Sequence, residues 1–202
     1  MTEASEAAAA RRVAILEAAA GVFLRYGFKK TSMDDLARAA GLSRQGLYLS
    51  FTTKEALFKE ALSHLIATIR AASRAAIARE DLDVEERLLG AFACAHGQTI
   101  GQAGAEHMSE LLATAVLLVG EMVNEVEQAL AADVARVLRS SGVAARWKDA
   151  GISAKDLTEH LCATSYGVKH RVATAAEYCD RMRTALQIVC RGAPRGGSAG
   201  GS

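Results

Sequence analysis

Apolar residues recur every three or four positions along almost the whole chain. From about Ala7 to Tyr26 the stripe is Val13, Leu16, Ala20, Phe23 and Leu24, one face of a helix that Gly27 ends. Thr31 or Ser32 then caps a short helix, Met33–Ala40, with Asp34 and Asp35 in its first turn, where the helix dipole favours acids. Gly41 breaks it, and Ser43 caps a second short helix, Arg44–Phe51. A long helix follows from Lys54 to about Arg79, striped by Leu57, Phe58, Ala61, Leu62, Leu65, Ile69 and Ala72. Asp83 with Glu86 opens another helix, carrying Leu88, Leu89, Phe92 and Ala95. Gly97, Gly101 and Gly104 loosen the next stretch, and helices resume near Glu106 and from about Val119 to Ser141, where Gly142 stops the chain. Val143–Ile152 reads as a linker, and Ser153 and Thr174 start the last two helices. The pattern predicts an all-α fold of about nine helices.

Composition sharpens this reading. The chain has 202 residues, half of them hydrophobic, and its single proline, Pro194, lies near the end. It can bury a core, and it lacks the alternating β-branched runs of an all-β protein. The glycine-rich end, residues 192–202, reads as a disordered tail. The net charge is only +1, which excludes a histone-like, wholly basic surface. Yet residues 1–80 carry 12 basic and 8 acidic side chains, against 12 and 15 in residues 81–202. The N-terminus has no basic segment leading into an apolar one, so no signal peptide is expected. The longest apolar run, Leu111–Gly120, is about half of the roughly 20 residues a membrane span needs. A cytoplasmic protein with no membrane association follows as the expectation. Cys94, Cys162, Cys179 and Cys190 form no CxxC pair and read as buried small apolar groups.

The segment with the most chemical content is Thr31–Leu57, TSMDDLARAAGLSRQGLYLSFTTKEAL. Two short helices meet at a glycine turn. Leu36, Ala40, Leu42 and Leu47 supply a shared core, Ala37 is small where the helices cross, and Gly41 allows positive φ. These are the needs of a helix-turn-helix. The second helix shows Arg44, Gln45, Gly46, Tyr48 and Ser50, a polar, small face able to enter a major groove. Arginine suits guanine O6 and N7, and glutamine suits adenine N6 and N7. An ordinary helical hairpin with a solvated polar face fits the same pattern.

From about Arg11 to Leu62 the chain resembles the DNA-binding domain of TetR-family regulators. The resemblance rests on "YGF" at Tyr26–Phe28, "TSMDDLARAAGLS" at Thr31–Ser43, an "LYxxF" at Leu47–Phe51 and "KEALF" at Lys54–Phe58. It implies a helix-turn-helix domain over residues 7–53 and a ligand-binding and dimerisation domain over 54–191. It implies that Thr31 or Ser32, Tyr48 and Lys54 touch phosphates, with Ser43 beside them as the cap of the reading helix. Arg44, Gln45 and Gly46 take the base-facing positions. Leu49 and Ser50 stand where the family often has an aromatic and a histidine, so Leu49 is expected at a thymine methyl instead.

The resemblance further implies a small-molecule effector and a homodimer. Pocket candidates are Phe92, His96, Met108, Leu112, Met122 and Tyr166, each of which fits plain core equally well. Interface candidates are Leu157, Leu161 and Val168 on one helix and Tyr178, Met182, Leu186 and Val189 on the next. The same stripes also fit an intramolecular core. The expected function is a ligand-responsive regulator, a repressor of a palindromic operator, with no cofactor and no enzymatic activity. A thiol-switched regulator of the same fold is the alternative. There is no glycine-rich phosphate loop, HExxH or paired ExxH. Glu106, His107 and Glu110 on one helix read as a solvated face rather than a metal site.

Overall fold

The computed structural model describes residues 3–97, 100 and 105–192, with side chains described from residue 5 onward except at 105–112. Among these the fold is all-α, as expected. The elements are α1 (Glu3–Tyr26), α2 (Met33–Ala39), α3 (Arg44–Ser50), α4 (Lys54–Ile77), α5 (Val84–His96), α6 (Ala105–Ser140), α7 (Ala154–Lys169) and α8 (Ala175–Arg191), with a 3₁₀ helix at Ala144–Ala150. No helix among the described residues is long and apolar enough to cross a membrane. Of the expected tail, 192–202, only Gly192 is described, as the C-cap of α8; residues 193–202 and the loose glycines at 101 and 104 lie outside the described residues.

Two local readings change. The helices expected near Glu106 and from Val119 are one helix, α6, kinked where Val119 leaves helical geometry (φ −144°, ψ 24°). The supposed linker 143–152 is mostly the 3₁₀ helix, and Trp147 fixes it by donating its indole N–H to the Val189 carbonyl at 2.9 Å.

The chain forms two compact units, residues 1–69 with 101–126, and 70–100 with 127–202. This division departs from the boundary drawn at residue 54, because Leu57, Phe58 and Ala61 at the start of α4 fill the core of the first unit. That core also holds Ile15, Leu16, Ala19, Phe23, Leu36, Leu47 and Phe51. Phe58 meets Phe23 and Phe28 edge-on at 4.9 and 5.0 Å. Val13 lies on the exposed side of α1, since Ile15 and Ala19 take the inward positions.

The second unit packs α5, α7 and α8 around Phe92, Leu138, Leu161, Tyr178, Met182 and Leu186. Here the interface expectation is corrected. Leu157, Leu161, Tyr178, Met182, Leu186 and Val189 are buried within a single chain, and Val168 is half-buried against the same cluster. The six buried side chains have no surface to give to a partner, whereas the half-buried Val168 keeps some. Phe92 is core as well, rather than a pocket wall.

Candidate nucleic-acid interface

Local rules build the first site. Ser32 caps α2 in a reciprocal box: its Oγ accepts from the Asp35 N–H at 3.2 Å, while Asp35 Oδ2 accepts from the Ser32 N–H at 3.0 Å. The Ser32 hydroxyl, donating to Asp35 Oδ2 at 2.6 Å, and then the Ser32 N–H hold the Asp35 carboxyl below its usual pKa. Gly41 turns the chain at φ +66°, a conformation that side chains rarely adopt. Ser43 then caps α3, its Oγ accepting from the Gly46 N–H at 3.1 Å. A Cβ at Gly46 would come within 3.2 Å of that Oγ, so glycine lets the cap close. Leu47 is fully buried and anchors α3, leaving Arg44, Gln45, Tyr48, Leu49 and Ser50 exposed. Leu49, at 85% exposure, is an apolar group presented entirely to the outside.

Two expected phosphate contacts are reassigned. Thr31 is buried, and its hydroxyl donates to the Gly27 carbonyl at 2.7 Å. Lys54 lies half-buried, its ammonium donating to the carbonyls of Phe28 and Thr31 at 3.0 Å each, 4.4 Å from the Phe28 ring centroid. It therefore ties the start of α4 to the α1–α2 connection. Ser32 stays at the surface, but its hydroxyl proton points at Asp35. Sequence reasoning missed one contact across the two helices. Arg44 Nη1 donates to Asp34 Oδ2 at 3.2 Å, and its guanidinium lies 5.7 Å from the Tyr48 ring centroid. Asp34 showed only as a helix-start acid, and a partner ten residues on leaves no local signal.

In the second unit His96, Glu127, Gln128, Leu130, Ala131, Cys162 and Tyr166 line a partly open cavity of about 330 Å³. Of the pocket candidates it brings together His96 and Tyr166. Met122 belongs to the first unit, where its sulfur accepts from Ser63 Oγ at 3.5 Å. Met108 and Leu112 lie outside the described side chains. The other wall residues carry no motif; Glu127, Gln128, Leu130 and Ala131 come from α6 and Cys162 from α7, and only the fold brings them to one cavity.

Behind the cavity runs a polar chain. His96 Nδ1 lies 2.6 Å from Ser165 Oγ, which is 2.5 Å from the Tyr178 hydroxyl, and that hydroxyl donates to the Phe92 carbonyl at 3.3 Å. Burial, aided by the nearby positive charges of Lys169 and His170, lowers the His96 pKa to about 4. An unfolded histidine takes up its proton near pH 6.5, so the folded chain loses stability as pH falls from about 6.5 to about 4, by up to about 3 kcal/mol. Thermal melts across that range should show the loss in the wild type and a flatter profile in His96→Gln. Identical profiles would contradict the assignment.

The first unit thus carries a helix-turn-helix module: two short helices joined at Gly41, anchored by the buried Leu36 and Leu47, with a mostly polar second helix exposed. Residues 15–61 match the family model for bacterial regulatory proteins of the tetR family. This domain belongs to the TetR family. Over 82 residues the chain is 37% identical to the HTH-type transcriptional repressor ComR of Escherichia coli, covering 41% of this chain and 39% of ComR. The chain thus spans about two fifths of that curated relative. The fold extends further. The TetR family regulator PfmR of Thermus thermophilus aligns with a TM-score of 0.60 at 21% identity, covering 90% of this chain and 99% of PfmR. A TetR-family regulator from Rhodococcus aligns with a TM-score of 0.63 at 19% identity, over 89% and 98% of the two chains.

Proposed function

We propose that this chain is a DNA-binding transcriptional repressor in the cytoplasm, that it binds a palindromic operator as a homodimer, and that a small, partly apolar effector releases it. The carrying observation is the exposed Arg44, Gln45, Tyr48 and Ser50 face on a helix anchored by Leu47. Such a face, backed by a rigid core, suits base-edge readout. One reading helix covers few base pairs, and a two-fold pair spaced by about 34 Å doubles the readout. With the inner stripes of α7 and α8 taken by the core, their outward faces become the dimer candidates. There Ala163 and Gly167 allow close approach beside Tyr166, and Thr184 and Ile188 follow one another along α8. The cavity by His96 and Tyr166, lined also by Leu130 and Ala131, is the proposed effector site.

The thiol switch has less support. Burial raises the pKa of Cys94 and pushes Cys162 and Cys190 up to about 11, away from the reactive thiolate. Reversible loss of DNA binding on mild oxidation would revive it. No catalytic role is proposed.

Selection of bound duplexes from random DNA tests the main reading, with an inverted repeat as the expected product. Failure to enrich any sequence would refute it. Within the selected site, Gln45→Ala should relax preference at one base position, by about 1–3 kcal/mol, and leave the other positions unchanged.

A further inference from the structure

Asp34 brings a carboxylate onto the surface that α3 presents. Its first-turn place suits the helix dipole, but neither capping nor packing calls for it: Asp35 completes the capping box, and Met33, Leu36 and Ala37 are the buried residues of α2. Its Oδ2 accepts from Arg44 Nη1 at 3.2 Å, and both side chains are more than half exposed. An exposed ion pair of this kind adds little stability. An acid on a DNA-facing surface also repels phosphate, so it weakens binding to every sequence.

The pair does constrain the arginine. Arg44 is held between a carboxylate from α2 and the Tyr48 ring one turn along α3, 5.7 Å from the guanidinium. The bond to Asp34 uses one of five N–H donors and leaves enough for a two-point contact with a base edge. A long, unrestrained arginine on this surface would find phosphates readily, and phosphate contacts carry no sequence information.

We propose that Asp34 is a specificity-determining positioning residue, which holds Arg44 for guanine readout and keeps it off the phosphate backbone. The proposal rests on the DNA-binding reading above. It assigns Asp34 a trade: lower affinity for DNA in general, higher discrimination at one base pair.

The test uses the full chain and a duplex selected from random DNA by the wild type. Wild type, Asp34→Ala, Arg44→Ala and the double variant are titrated against that duplex, its single-base variants and an unrelated duplex of equal length, at several salt concentrations. Asp34→Ala should bind the unrelated duplex about threefold or more tightly, with a steeper salt dependence. Its preference at one base pair should fall about tenfold. Arg44→Ala should lose preference at that same base pair, and adding Asp34→Ala to it should change that preference no further. Asp34→Ala binding everything more tightly with undiminished preference would overturn the proposal, leaving only a charge effect. Lost preference at a base pair that Arg44→Ala leaves intact would also overturn it, since Asp34 would then read a base itself. A wild type that enriches no sequence fails earlier, at the DNA-binding reading.

Discussion

Leu186→Glu is expected to unfold the second unit, while Ile188→Glu, two residues on, should leave it folded and separate the proposed dimer. The two positions lie on opposite sides of α8. Leu186 is fully buried among Tyr178, Met182 and Val189, whereas Ile188 is 59% exposed. Emptying a buried leucine site costs about 2–5 kcal/mol, and an unpaired carboxylate in its place adds to that. Total stability is on the order of 5–15 kcal/mol, so Leu186→Glu removes much of it. Circular dichroism melts should show its transition lost or far lowered. Ile188→Glu should melt like the wild type but sediment at the mass of one chain. Its operator affinity should fall toward the non-specific level, on the order of a thousandfold. A folded Ile188→Glu that remains a dimer would place the interface elsewhere. A Leu186→Glu that melts like the wild type would contradict the core itself.

Lys54→Met is expected to destabilise the first unit and weaken operator binding without flattening its salt dependence. Methionine keeps an apolar stem beside the Phe28 ring. It leaves the carbonyls of Phe28 and Thr31 without the donor they now have. Hydrogen bonds from a charged group contribute about 1.5–3 kcal/mol, and a half-buried position suggests about 2 kcal/mol in total. The freed segment leads directly into Ser32 and α2, so operator affinity should fall about tenfold as the motif loses its register. Two of three ammonium protons point inward, so the slope of affinity against salt should hold to within about half a counterion. A phosphate anchor would instead lose about one counterion with little change in melting temperature. That result would restore the role the family resemblance implied.

Much of the first unit is legible from neighbouring residues alone. Helix caps and stops are local signals: Gly41 and Ser43 stand where the sequence reading put them, as do Gly142, Ser153 and Thr174 in the second unit. The buried Leu36 and Leu47 follow from spacing, because a short helix has one apolar stripe and must bury it, and Phe58 lies on the apolar stripe of the longer α4. The exposed reading face is what remains on α3.

The stripes on α7 and α8 were equally visible, and they misled. Periodicity says that a face is buried; it does not say whether the same chain or a second copy covers it. Only packing against α5 decides that Leu161, Tyr178 and Leu186 are internal. Lys54 and Thr31 show the same limit at the scale of one atom. Their residue types suit phosphate, yet carbonyls 23 and 26 residues before Lys54, and the one at Gly27 for Thr31, take their donors first.

By itself the sequence determined the all-α class, the helix boundaries set by caps and glycines, and the helix-turn-helix with its polar face. The tertiary structure alone decided which polar groups remain for a partner, which stripes are core, and which distant residues meet, as Asp34 meets Arg44 and His96 meets Ser165. The physical reason is range. Capping and periodicity act within a few residues along the chain, whereas burial and hydrogen-bond satisfaction are settled by whatever the fold brings alongside.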